Sequence, residues 1–182
     1  MSNDTTDLFS PLELRGTAAR NRVMVSPMCQ YSCDGDGLAT DWHHVHLGSR
    51  AVGGAGIVMA EATAVSPEGR ITPHDLGIWS DGHGEALAET AEFIGDHGAL
   101  AGIQLAHAGR KASTERPADG GEPIHDERGW TTVAPSATPW PHDEDAGGPV
   151  PTKRLSVEDI QGIVDDFRAA AERALEAGFD IA

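Results

Sequence analysis

Val23-Met24-Val25-Ser26-Pro27-Met28-Cys29-Gln30-Tyr31 is the stretch that decides the architecture. Its first three residues are an apolar run of strand type. The six that follow end the strand in a proline-stiffened segment that offers a thioether, a thiol and a phenol. A strand that exits into such groups is built to hold something flat and polarizable. A second apolar run, Gly102-Ile103-Gln104-Leu105, exits in the same manner into Ala106-His107-Ala108-Gly109-Arg110-Lys111.

Outward from these two exits, strands and helices alternate. Leu12-Glu13-Leu14 with a turn at Gly16 predicts a short hairpin, leading into a first strand over 22–27. Thr40 or Asp41 caps a helix to about residue 52, with Val45, Leu47, Ala51 and Val52 as a ragged apolar face and Gly53-Gly54 as its stop. Ile57-Val58-Met59-Ala60 is continuously apolar, the pattern of a strand covered on both faces. Asp81 caps a second helix to about residue 97, whose buried stripe is Leu87, Ala91 and Ile94. The third strand covers 100–105. Ser156 and Asp159 make a capping box at the start of a third helix. Ile160, Ile163, Val164, Phe167, Ala171 and Leu175 give that helix an apolar period, Gly178 stops it, and Phe179-Asp180-Ile181-Ala182 opens a fourth strand.

Such alternation with buried strands specifies an α/β protein: a parallel sheet, helices outside it, and right-handed crossovers. It closes either as an open doubly wound sheet or as an eight-stranded barrel. No Gly-x-Gly-x-x-Gly follows any strand, which counts against the first. Polar groups cluster after every strand (Cys29 and Tyr31, Glu61, then Gln104, His107 and Arg110), which favours the second, because barrel active sites sit at that end. The expected fold is the N-terminal portion of a (β/α)8 TIM barrel, three strand–helix units plus the start of a fourth strand, as one domain over 1–182. Residues 107–155 form a long loop rich in Pro, Gly, Asp and Glu with an acidic centre at 142–148; a stretch of that length without periodicity is functional or disordered. Trp130, Trp140 and Ala134-Pro135-Ser136-Ala137 suggest partial order within it.

The chain of 182 residues is long enough for one domain with a real core. It carries 29 acidic against 13 basic side chains, a formal charge of −16, and of the basic ones only Lys111 and Lys153 are lysines. An acidic surplus with scarce lysine suits high ionic strength, where screening removes the self-repulsion, and points to a salt-loving source; an ordinary acidic cytosolic protein is the bland alternative. The same charge argues against nucleic acid and anionic membrane as partners. Cys29 and Cys33 make no disulfide framework, and residues 1–7 are polar with no apolar core, so a signal peptide and a membrane helix are not expected and a reducing cytoplasm is.

Ser26-Pro27-Met28-Cys29-x-Tyr31, Glu61-Ala62-x-Ala64-Val65, Gly69-Arg70-Ile71-Thr72, Leu76-Gly77-Ile78-Trp79 and Gln104-Leu105-Ala106-His107-Ala108-Gly109-Arg110-Lys111 resemble the old yellow enzyme family, most closely its bacterial-type branch whose first strand ends in cysteine. The likeness runs through the chain in order; only the acidic loop around 115–148 lacks a counterpart. It implies a flavin mononucleotide (FMN) oxidoreductase, an ene-reductase or NADPH dehydrogenase type. NAD(P)H would reduce the flavin, which would pass hydride to the activated carbon–carbon double bond of an enal or enone. Ser26, Pro27, Met28 and Cys29 match the flavin-contacting run, Ala62 a further flavin contact, Gln104 the side chain bonded to the polar ring edge, and Tyr31 a substrate-contacting tyrosine. Cys29 and Tyr31 are the expected catalytic residues. Elementary chemistry agrees: a flavin ring needs a flat wall plus an amide that both donates and accepts, which Gln104 is. The protein's part is then to tune the cofactor, and a thiol at Cys29 can do so.

Each residue has a blander reading taken alone. Cys29 would be an inert buried hydrophobe, Gln104 a satisfied core amide and Met28 filler; their joint occurrence at three strand ends reverses this. Glu61 and Arg110 read as members of structural salt bridges before acid–base or phosphate-binding groups. His44-Val45-His46, with His43, superficially suggests a metal-dependent hydrolase, but residues two apart on a helix diverge, and no metal is expected. Asp34-Gly35-Asp36-Gly37 lacks the ligands of a calcium loop and reads as a turn.

In the family the next strand continues into a His-x-x-His-Gly-Tyr segment, and later strands bring an arginine and glycine-rich loops for the flavin phosphate; none of these is in this sequence. The first expectation is therefore part of an ene-reductase. The alternative is a noncatalytic half-barrel that serves as a binding or structural module. Partners would be a small-molecule substrate and either another copy or a complementary barrel half.

Overall fold

The computed structural model describes residues 7–182. The polar leader read at residues 1–7 lies, except for Asp7, outside the described residues. In chain order the elements are a hairpin of β1 (Leu12–Leu14) and β2 (Thr17–Ala19), then β3 (Met24–Val25), α1 (Asp41–Val52), β4 (Ile57–Ala64), α2 (Asp81–Asp96), β5 (Leu100–Ala106), β6 (Thr132–Ala134), β7 (Thr152–Arg154) and α3 (Val157–Glu176).

The apolar run at Ile57 becomes the middle of a parallel sheet in the order β3-β4-β5. It continues past Ala60 to Ala64, because both of its faces are covered and both of its edges are paired. The first strand is shorter than the expected 22–27: only Met24 and Val25 pair, opposite Ile57 and Val58. Pro27 has no N–H to give a ladder, so the chain leaves the sheet before it. On the other side the 179–182 segment joins as expected. The Ile103 amide donates to Ile181 O at 2.9 Å, and Ile181 bridges Gly102 in parallel. Four parallel segments therefore lie side by side in sequence order, the order in which a barrel winds.

Val58, Ala60, Ala101 and Ile103 form one core with Leu47 and Ala51 of α1, Leu87, Ala91 and Ile94 of α2, and Ala170 and Ala174 of α3. Full burial of a Leu or Ile of this kind contributes about 1.5–3 kcal/mol. The other face carries Met59, whose thioether lies against Gly102 so closely that a β-carbon there would collide with the sulfur. α3 starts with the expected capping box: the Asp159 amide donates to Ser156 Oγ at 3.0 Å, and the Ser156 amide to Asp159 Oδ2 at 2.8 Å.

Two expectations about helix faces are corrected. α3 reaches the core through its small residues Ala170 and Ala174, which let the helix approach closely, with Phe167 packed at the margin. Its large apolar row, Val157, Ile160, Val164 and Leu175, is 44–85% exposed. On α1, Leu47 and Ala51 are buried but Val45 and Val52 face outward. Exposed rows of that size drive association. The chain is accordingly expected to self-associate in sedimentation; a monodisperse monomer with one sharp unfolding transition would contradict this.

The long 107–155 loop is also more ordered than its composition suggests. β6 and β7 pair in parallel, Thr132 opposite Thr152 and Ala134 opposite Arg154. Arg70 sits between Trp79 and Trp130, 5.3 Å from each ring centre, and the Trp130 indole donates to Glu68 O at 3.0 Å. Arg110 forms no salt bridge among the described residues; it stacks on Trp140 at 5.5 Å, beside Lys111 at 4.1 Å. Among the described residues no helix is long and apolar enough to cross a membrane.

Candidate flavin-holding strand ends

The sheet's register changes where the site begins. Ala60 stands opposite Ile103, but Ala62 stands opposite Gln104, so Glu61 is the extra residue of a β-bulge. A bulge re-aims side chains. Glu61 is thereby directed at His43 of α1, with 3.2 Å between Oε1 and Nε2, while Ala62 takes its place beside Gln104. Ala62 offers a flat methyl. Gln104 is exposed and its side chain makes no hydrogen bond among the described residues, so its amide is free to donate and to accept.

The loop after β3 folds over the same strand ends. The Gln30 amide donates to Glu61 Oε2 at 2.6 Å, and the Gln30 side chain accepts from Trp42 Nε1 at 3.0 Å and donates to Met28 O at 2.7 Å. Tyr31 is held in the left-handed region at φ 52°. A non-glycine residue there costs on the order of 1–3 kcal/mol and persists only where its neighbours enforce it. The Cys29 thiol lies within reach of the Ala62 amide and the Tyr31 hydroxyl. Cys29 thus lies near both Tyr31 and Ala62, with Gln104 next to Ala62 in the sheet. Ser26, Pro27 and Met28 connect β3 to this loop; Met28 is about half exposed and Ser26 is exposed.

Burial pushes the Cys29 thiol above its usual range, and the carboxylates of Glu61 and Asp75 push it further. Tyr31 is pushed up to about 12, first by burial and then by Cys29 and Asp75. Both groups are therefore protonated donors at neutral pH. Tyr31 is the only tyrosine in the chain, so ultraviolet absorbance reads it alone. Its ionisation is expected to wait until about pH 12, and alkylation of Cys29 to show a midpoint above the ordinary thiol value of 9.0. A tyrosine midpoint near 10 would mean the hydroxyl is open to water.

The histidines do not converge. His43 is buried against Glu61, His44 lies edge-on to Phe93 with its ring centre at 4.9 Å, and His46 stacks along Trp42. No group of three metal-ligating side chains occurs among the described residues. Cys29 and Cys33 are both free thiols. From the sequence, His43 reads only as a metal candidate that helix geometry rules out. The signal that could have placed it was Thr40-x-x-His43 at a helix start, capping-box spacing with histidine in the acid's place: the Thr40 amide donates to His43 Nδ1 at 3.0 Å. Asp75 was also missed. It is buried and accepts from the amides of Ile71 and Thr72 and from the Thr72 hydroxyl.

A family model described as NADH:flavin oxidoreductase / NADH oxidase matches residues 7–182. The chain belongs to this family. An NADPH dehydrogenase of Geobacillus sp. (strain WCH70) is 46% identical over 177 residues, covering 97% of this chain and 46% of that protein. One from Listeria monocytogenes serotype 4a (strain HCC23) is 47% identical over 175 residues, covering 96% and 46%. Among solved structures, morphinone reductase superposes with a TM-score of 0.77 at 30% identity, over 100% of this chain and 48% of that one. The old yellow enzyme homologue from Zymomonas mobilis gives 0.75 at 32%, over 96% and 47%. The chain spans about half the length of the relatives it matches. Its strand–helix units are accordingly part of the family's (β/α)8 barrel, as the sequence reading expected.

Proposed function

We propose that this member of the NADH:flavin oxidoreductase family holds FMN at the ends of β4 and β5, and that the complete barrel transfers hydride from NAD(P)H to the activated double bond of an enal or enone. The observation that carries this is the convergence of Cys29, Tyr31, Ala62 and Gln104 at one end of one sheet. The residues fit the group. Gln104 has an unpaired amide for the polar ring edge, Ala62 leaves room for a flat face, and Ser26, Pro27 and Met28 provide a wall beside it. Bound flavin would supply the hydride chemistry itself. Tyr31 stays protonated and donates from its hydroxyl to a substrate carbonyl, orienting it, while the Cys29 thiol tunes the ring through its polarity. No residue of this chain is assigned to the flavin phosphate.

The acidic surface and free thiols support a reducing, salt-rich cytoplasm as the setting, and NAD(P)H and the alkene as small-molecule partners. A complete barrel needs strands beyond the four parallel segments of this sequence. The exposed row of α3 favours a second reading, a noncatalytic half-barrel docking module.

The deciding experiment is titration of FMN into the chain, alone and mixed with the remaining part of a relative's barrel, followed by flavin fluorescence. Quenching and a yellow complex in either case are expected. If neither takes up flavin, the docking module is the better reading. A further expectation concerns Cys29→Ala: the complete barrel keeps its FMN but shifts its reduction potential, measured by dye-coupled titration, and an unchanged potential would refute the tuning role.

A further inference from the structure

We propose that Glu61 is a positioning residue: from its bulge, with its carboxylate aimed by His43, it holds the Gln30 amide and so sets the loop that presents Cys29 and Tyr31. Its relevance to hydride transfer rests on the flavin reading above, but its geometry does not.

The two oxygens of Glu61 have separate tasks. Oε2 accepts the Gln30 N–H at 2.6 Å, midway between Cys29 and Tyr31 in the chain. Oε1 faces His43 Nε2 at 3.2 Å. The tautomer of His43 follows from its other nitrogen: a backbone N–H, that of Thr40, points at Nδ1, which must accept. The ring proton is therefore on Nε2 and is donated to Glu61. Cys33 Sγ lies 4.0 Å from the same Nε2. Glu61 and His43 are 3% and 1% exposed, so neither is free to trade its partner for water. One imidazole thus ties the start of α1 to the bulge in β4, and one carboxylate ties the bulge to the loop after β3. Tyr31 needs this, because its left-handed backbone is not self-sustaining. Trp42 clamps the Gln30 side chain, but from the exposed surface. Glu61 is the buried hold.

The test uses the full chain without flavin, so it stands whether or not flavin binds. Hydrogen exchange reads the Gln30 amide. Alkylation by iodoacetamide against pH, with peptide mapping to separate Cys29 from Cys33, reads the thiol. The groups facing Cys29 are Glu61, Asp75, Tyr31 and the Ala62 amide. Glu61→Ala is expected to speed exchange in the 28–33 segment by at least about tenfold while β4 and β5 stay protected. It should also change the plateau rate of Cys29 alkylation and lower its midpoint. Glu61→Gln keeps one oxygen for the Gln30 amide but loses the charge, and its NH2 can no longer accept from the His43 Nε2–H. It should lower the midpoint likewise and speed exchange in 28–33 less than Glu61→Ala does. The midpoint thus reads charge and the plateau reads position; a remote scaffold residue would move neither. If Glu61→Ala opens the entire sheet, the ordering role is still decided by His43→Asn, which keeps an acceptor for the Thr40 amide but is too short to donate to Glu61, and should speed exchange in 28–33 alone. Wild-type exchange at Gln30 in Glu61→Ala, or in His43→Asn should the first variant unfold, overturns the proposal.

Discussion

Leu76→Ala is expected to lower the free energy of unfolding by about 2–5 kcal/mol, the range for emptying a fully buried leucine site. Leu76 is 0% exposed, and its segment is stitched to the end of β4. The Ala64 amide donates to Leu76 O at 2.8 Å, the Ile78 amide to Ala64 O at 2.9 Å, and the Gly77 amide to Gly37 O at 2.9 Å. A void beneath this segment has little freedom to collapse, because its backbone is pinned on both sides. Leu76→Met, which conserves volume, is expected to cost less than about 1.5 kcal/mol. Urea unfolding followed by tryptophan fluorescence at fixed protein concentration measures both. A loss below about 1 kcal/mol for alanine would mean that 76–78 lies on the core without filling it. The site would feel the change, since Ala62 is two residues from the strand end that Leu76 supports.

The parts of the fold that were legible from sequence are those with long or two-sided patterns. The run at Ile57, the stripe Leu87-Ala91-Ile94 and the capping box at Ser156 each declare a period or a hydrogen-bond motif that needs no tertiary partner. β6 and β7 were not legible because three residues show no period, and their pairing crosses an acidic stretch that looks solvated. The faces of α3 and α1 misled for a different reason. Ile160, Val164 and Leu175 have the spacing of a buried stripe, but the sheet accepts only the closer approach that Ala170 and Ala174 permit. Of the candidate site, Cys29, Tyr31, Ala62 and Gln104 are named through the family resemblance, and they lie near one another because strand ends cluster at one face of a parallel barrel. The Glu61–His43 pair could not be read from the sequence, because it depends on a bulge, and a bulge appears only when two strands are laid in register. A histidine standing where a capping box ordinarily has an acid hid its role further.

Gln104→Leu is expected to weaken FMN binding by about 10–100-fold in the barrel that carries this segment. Leucine fills nearly the same space but can neither donate nor accept, so the polar edge of the ring would be buried without its partner. An unmade bond of that kind costs about 1–3 kcal/mol, and each 1.4 kcal/mol is about tenfold in affinity. Flavin fluorescence titration provides the measurement, with Cys29→Ala as the comparison expected to bind within about threefold of wild type. The contrast between the two follows from what each side chain already has. Cys29 lies beside the Ala62 amide and the Tyr31 hydroxyl, and a thiol, a weak donor and acceptor, meets a ligand mainly as a soft surface. The Gln104 side chain makes no hydrogen bond among the described residues and stands exposed at the strand end beside Ala62. If Gln104→Leu bound FMN as tightly as the wild type, the ring's polar edge would have to face some other element. The convergence of Cys29, Tyr31 and Ala62 would then describe a pocket for the substrate side alone.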